Sequence, residues 1–102
     1  MTMTTLKKMT MTIIDELKAA IIAADKQLVL SKLEELKNLM LADDELSMVI
    51  VQPATITELH TLLIEHMGVN PRAMRLNVRV PSLRKRAFLF VQTMTNGVNY
   101  LQ

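Results

Sequence analysis

Ser82-Leu-Arg-Lys-Arg-Ala-Phe-Leu-Phe-Val-Gln-Thr-Met-Thr-Asn-Gly-Val-Asn-Tyr-Leu101 is the stretch on which the fold turns, because it satisfies two different periods. Read as a helix, it is capped by Ser82, lines Leu83, Ala87, Phe90, Val91 and Met94 along one face, and stops at Gly97 with Val98 folding back. Read as strands, residues 88–95 pair with 98–101 through Asn96-Gly97, a dipeptide whose left-handed preference suits a two-residue hairpin turn. Period and cap favour the helix, although Arg84, Lys85 and Arg86 would then place three cations at the positive end of the helix dipole.

Immediately upstream, Met74, Leu76, Val78 and Val80 are apolar and alternate with Arg75, Asn77 and Arg79, which predicts a strand ended by Pro81. Met48-Val-Ile-Val51, rich in β-branched residues between an acidic turn and Pro53, predicts another. Between them Leu59, Leu62, Leu63, Ile64 and Met67 predict a helix capped by Thr55 or Thr57 and stopped by Gly68. These three elements make a small β-α-β unit. The alternative is all-helical, with Gly68-Val-Asn-Pro71 joining two helices of a degenerate helix-turn-helix. That outline is incomplete, since bulky Ile64 stands where close helix approach needs a small residue, and Asn77 where the second helix needs an apolar anchor.

The N-terminal half is helical by pattern. Thr12-Ile-Ile-Asp15 has capping-box spacing, and Ile13, Ile14, Leu17, Ala20, Ile21 and Ala24 follow as an apolar stripe. After Asp25 the stripe becomes Val29, Leu33, Leu36 and Met40, one residue out of register, so two helices over about 12–24 and 26–42 form an antiparallel hairpin with Asp25 as N-cap. Leu28, Leu30, Leu39 and Leu41 fall outside the second stripe and need cover, from the C-terminal half or from a second copy in a homodimer. The expected fold class is therefore α+β and predominantly helical, an N-terminal antiparallel helical hairpin followed by the β-α-β unit and a C-terminal helix or hairpin. Residues 1–10, with their repeated Met and Thr, form a flexible N-terminus. Residues 11–102 form one domain, with the hairpin at 11–42 and a basic half at 47–102.

A length of 102 residues suits a single core, and half the residues are hydrophobic, well away from disordered composition. With no cysteine there is no disulfide framework, thiolate ligand or cysteine nucleophile, which points to a cytoplasmic home. Lys7 and Lys8 ahead of residues 9–14 faintly imitate an export signal, but Asp15 and Glu16 cut the apolar run short. No run approaches the roughly 18 apolar residues of a membrane span, so no membrane partner is expected.

Charge divides the chain. Residues 1–65 hold six lysines against ten acids, net −4, whereas 66–102 hold five arginines and Lys85 against no acid, net +6. Arg72, Arg75, Arg79, Arg84, Lys85 and Arg86 are the candidate anion- or partner-binding residues. Arg75 and Arg79 share a face as a strand, and Arg72, Arg75 and Arg79 share one as a helix. Such a face suits a nucleic-acid backbone, DNA or structured RNA, because arginine's planar fork matches phosphate. It equally suits an acidic surface of another protein, for which the chain would act as adaptor or inhibitor while the hairpin mediates self-association. A third explanation is that it does no more than offset the chain's own acids, within the chain or across a dimer.

Catalytic and cofactor chemistry finds little support. His60 and His66 lie six residues apart, about 120° apart on a helix, unlike the i, i+4 pair that holds a metal. Asp43-Asp44-Glu45 reads as a solvated turn. Ser82-Leu-Arg-Lys85 matches the bare Ser-x-x-Lys pattern of acyl-transfer enzymes without its companion motifs, and two glycines make no phosphate loop. The expectation is a non-enzymatic regulator without cofactor or metal. Phe88 and Phe90 are read as buried, which argues against base stacking.

Overall fold

The computed structural model describes residues 3–43, 45–75 and 82–101. Among them the chain is helical: α1 (Met3–Ile22), α2 (Lys26–Ala42), α3 (Leu46–Ile50), α4 (Pro53–Met67), a 3-10 helix (Pro71–Met74) and α5 (Leu83–Asn99), with no strand. The β-α-β unit is thus corrected to helices, and the all-helical alternative describes the chain better. Even so, the second member of the supposed helix-turn-helix is a four-residue 3-10 turn followed by extended Arg75, too short for a recognition helix.

The hairpin of α1 and α2 forms as its stripes require, with Ile14, Leu17, Ala20 and Ile21 buried against Val29, Leu33, Leu36 and Met40. Its turn explains the shift of register. Asp25 N–H donates to the Ala20 carbonyl and Ala24 N–H to that of Ile21, the paired bonds of a Schellman motif, while Asp25 caps α2 by accepting from Leu28 N–H at 3.2 Å. Ala24 takes the left-handed position, φ 54°, that glycine usually fills. The first helix starts at Met3 rather than near Thr12; the buried Thr10 hydroxyl donates to the Leu6 carbonyl at 2.9 Å and so keeps this stretch's polar groups inside the helix.

The segment expected as a strand at 48–51 belongs to α3 for a packing reason. Leu46 and Ile50 are buried one helical turn apart, and Met48 is 61% exposed, whereas a strand would put Met48 and Ile50 on the same face. Context here outweighs the β-branched composition. Pro53 then opens α4 at its first turn, where its missing N–H costs nothing, and Gln52, not Thr55 or Thr57, is the N-cap residue. Gly68, at φ 71°, ends α4 as expected, its N–H donating to the Leu63 and Ile64 carbonyls. Of the strand expected at 74–80, Met74 closes the 3-10 helix, Arg75 is extended and 76–80 lie outside the described residues.

The C-terminal stretch is a helix, which corrects the hairpin alternative. Ala87, Phe90, Val91, Met94, Gly97 and Val98 are buried at helical spacing, and the helix runs through Asn96-Gly97 to Asn99 instead of stopping there. Gly97 serves close packing: a Cβ there would meet Val69 Cγ1 at 2.8 Å and Met74 Cγ at 3.4 Å. Helix α5 lies along α2 in the opposite direction, with Lys26 Nζ donating to the Leu101 carbonyl at 2.8 Å at one end and Leu41 beside Lys85 and Phe88 at the other. Helix α4 covers α1, and α3 wedges between α1 and α5. This cover half-buries Leu30 and Leu39 within the chain, leaving Leu28 and Leu41 exposed.

Candidate functional site

The six cations expected to act together are not all brought together. Ser82 caps α5 by accepting from Lys85 N–H at 3.4 Å, and this cap places Arg84, Lys85 and Arg86 in one helical turn, the first two exposed and the third half-buried. Arg72 sits at the opposite end of α5, in a hollow of about 530 Å³ that it shares with Asn70, Gly97 and Tyr100. From Lys85 to Tyr100 the helix rises about 22 Å, at roughly 1.5 Å per residue. Arg75 is exposed just after the 3-10 helix, and Arg79 lies outside the described residues.

Acids of the N-terminal half are partly satisfied by lysines of the same half. Lys18 meets Glu58 at 3.0 Å, and Lys32 meets Glu16 at 2.6 Å and Glu35 at 3.1 Å. Hydrogen bonds that the Lys32 ammonium donates to Glu16 and then to Glu35 hold its pKa above the ordinary value. Among the described residues no acid forms an ion pair with Arg72, Arg75 or Lys85.

Beside the α5 cations lies an apolar groove of about 580 Å³. Leu41, from the last turn of α2, faces Phe88 and Leu89, from the second turn of α5, and Ser82, Arg84 and Lys85 complete the lining. Leu41 is 59% exposed, Leu89 39% and Phe88 37%, so these are surface side chains. Lys37 Nζ stands 5.7 Å from the centre of the Phe88 ring, in cation–π range. The burial expected of Phe88 is therefore corrected, whereas Phe90 is buried. The signal was present in the spacing, because Phe88 falls off the stripe that runs through Ala87, Phe90, Val91 and Met94. Leu41 was legible too, lying off the stripe of α2, whereas Lys37 carried no mark in the sequence.

Placing three cations in the first turn of α5 does not serve the helix. The unpaired N–H groups there favour acids, and each opposed charge costs about 0.3–1 kcal/mol. The helix dipole does not account for Lys85 at this place.

The two histidines separate as their spacing implies. His60 packs edge-on against Phe90, ring centres 5.3 Å apart, with Nε2 buried and unpartnered, and burial lowers its pKa from the ordinary 6.5. His66 is exposed in the last turn of α4. Among the described residues no three His, Asp or Glu gather as metal ligands, and no helix is long and apolar enough to cross a membrane. Comparison with family models, curated proteins and solved structures finds no match to this chain.

Proposed function

We propose that this chain is a non-enzymatic cytoplasmic binding protein, an adaptor or inhibitor that grips an acidic surface of another protein through the start of α5. One juxtaposition carries the reading: exposed Arg84 and Lys85 adjoin exposed Leu41, Phe88 and Leu89. Phosphate backbones use cations and hydrogen-bond donors and gain nothing from leucines, whereas protein interfaces combine an apolar centre with a charged rim. The test is a titration of the full chain with a short poly-glutamate peptide at low salt, read by nuclear magnetic resonance. Amide shifts clustered at residues 82–89, and lost in an Arg84→Glu, Lys85→Glu variant of unchanged helicity, are expected; shifts scattered over both halves would sink the idea.

A second reading, binding to a nucleic-acid backbone, draws on Arg72 and Arg75, both exposed and without an acid partner among the described residues. It predicts binding to a random duplex that weakens by roughly one power of salt concentration per phosphate contacted. If low-salt binding to the duplex is absent, or survives replacement of Arg72, Arg75, Arg84 and Lys85 by Ala, that reading is dropped. Self-association through the hairpin is a weaker proposal than the sequence suggested, since the chain itself half-buries Leu30 and Leu39. Sedimentation of a Leu28→Asp variant tests it.

A further inference from the structure

We infer that the groove between the end of α2 and the start of α5 receives an amphipathic helix with acids flanking an apolar stripe. This rests on the acidic-protein reading above and names the shape of the partner. The groove follows the seam of two packed antiparallel helices, and Lys37 and Leu41 on one side, like Lys85 and Leu89 on the other, stand four residues apart, so each pair shares a helix face. Each helix thus presents a leucine preceded by a lysine one turn back, with Phe88 between them. A third helix laid along such a seam fills it with side chains at i, i+3, i+4 and i+7, and its flanking acids meet Lys37 and Lys85.

An extended peptide fits poorly, because strand addition needs a sheet edge and the described residues contain no strand. The nearest described acids do not compete for Lys37 or Lys85. Asp43 accepts Glu45 N–H at 2.9 Å within its own turn, and Glu45 lines a separate hollow with Lys7 and Met48. Glu34, two turns back from Leu41, is outside the groove lining.

The experiment titrates the isotope-labelled full chain with a synthetic helix-forming peptide carrying Leu at i, i+3, i+4 and i+7 and Glu on both flanks. Its companions are a Leu→Ser version, a Glu→Lys version, phosphatidylserine vesicles and a random duplex. The expected result is binding of the first peptide with amide shifts at 37–41 and 83–89, a rise in peptide helicity, and about tenfold weaker binding of the Leu→Ser version. Phe88→Ala and Lys85→Glu each weaken the first peptide by about tenfold with the chain's helicity retained, and Lys85→Glu improves binding of the Glu→Lys peptide. Equal binding of the Leu and Ser peptides overturns this inference and leaves the acidic-surface reading standing. Binding to neither acidic peptide overturns both, and tighter binding to vesicles or duplex than to any peptide overturns this inference in favour of those partners.

Discussion

Val69 Cγ1 occupies the position from which it would lie 2.8 Å from any Cβ at residue 97, so only glycine lets α5 approach the chain between α4 and the 3-10 helix. In an open helix Gly→Ala gains about 1 kcal/mol, and here the sign reverses. Gly97→Ala is expected to lower unfolding stability by about 1–2 kcal/mol, as other overpacked cores do. Adding Val69→Ala restores part of the loss, and urea titration of the four-member cycle measures the coupling; simple additivity of the two changes would contradict the contact.

The two left-handed helix ends are expected to respond in opposite directions. Gly68 has no atom within 4 Å of where its Cβ would stand, so Gly68→Ala costs only backbone strain, about 1 kcal/mol. Ala24 already bears that strain at φ 54°, and Ala24→Gly raises stability by about 0.5–1 kcal/mol. Paired thermal melts decide the matter; destabilisation by Ala24→Gly would show the turn to be held otherwise.

Acid should weaken the fold before ordinary carboxylates titrate near pH 4. Burial against Phe90 lowers the His60 pKa, so the unfolded chain takes up the proton first. Stability is therefore level above the ordinary 6.5 and falls as pH drops below it toward the depressed folded value. Chemical unfolding between about pH 7.5 and 5 should show this slope in the native chain and lose it in His60→Gln.

Lys85→Glu is expected to stabilise the protein while weakening the proposed binding of an acidic helix. An acid in the first turn suits the helix dipole, for a gain of about 0.3–1 kcal/mol, and Ser82→Ala in the same turn loses about 1 kcal/mol of capping. Circular dichroism melts of the two variants should shift in opposite directions. A fall in midpoint for Lys85→Glu would mean that its ammonium holds a structural contact.

Local chemistry was legible in the sequence. Asp25 and Ser82 cap the helices they were expected to cap, Gly68 ends α4, and the stripes of α1, α2 and α5 are buried apart from half-buried Ile13 and exposed Ala24 and Leu83. What misled was composition that tertiary contacts overrule. Met48-Val-Ile-Val51 turns helical because Leu46 and Ile50 need the same core face, and Asn96-Gly97 stays helical because Val69 requires a residue without a side chain. The cations were found by charge alone, but whether they share a face depends on how far apart α5 holds Arg72 and Lys85, which no local pattern encodes. The apolar half of the groove was half-written, in Leu41 and Phe88 falling off their stripes.

Leu41 and Phe88 lie on segments far apart in sequence, and the bond from Lys26 to Leu101 closes 75 residues of chain. Closing so long a loop is entropically slow compared with forming the local hairpin of α1 and α2. During synthesis the hairpin can therefore exist while the groove does not, and a chain stalled before α5 offers the exposed leucines of α2 without the basic wall beside them. On the proposed reading, binding would then report a completed chain. On refolding, the proposed affinity for an acidic helix should return with the burial of Phe90, not with the earlier gain in helicity.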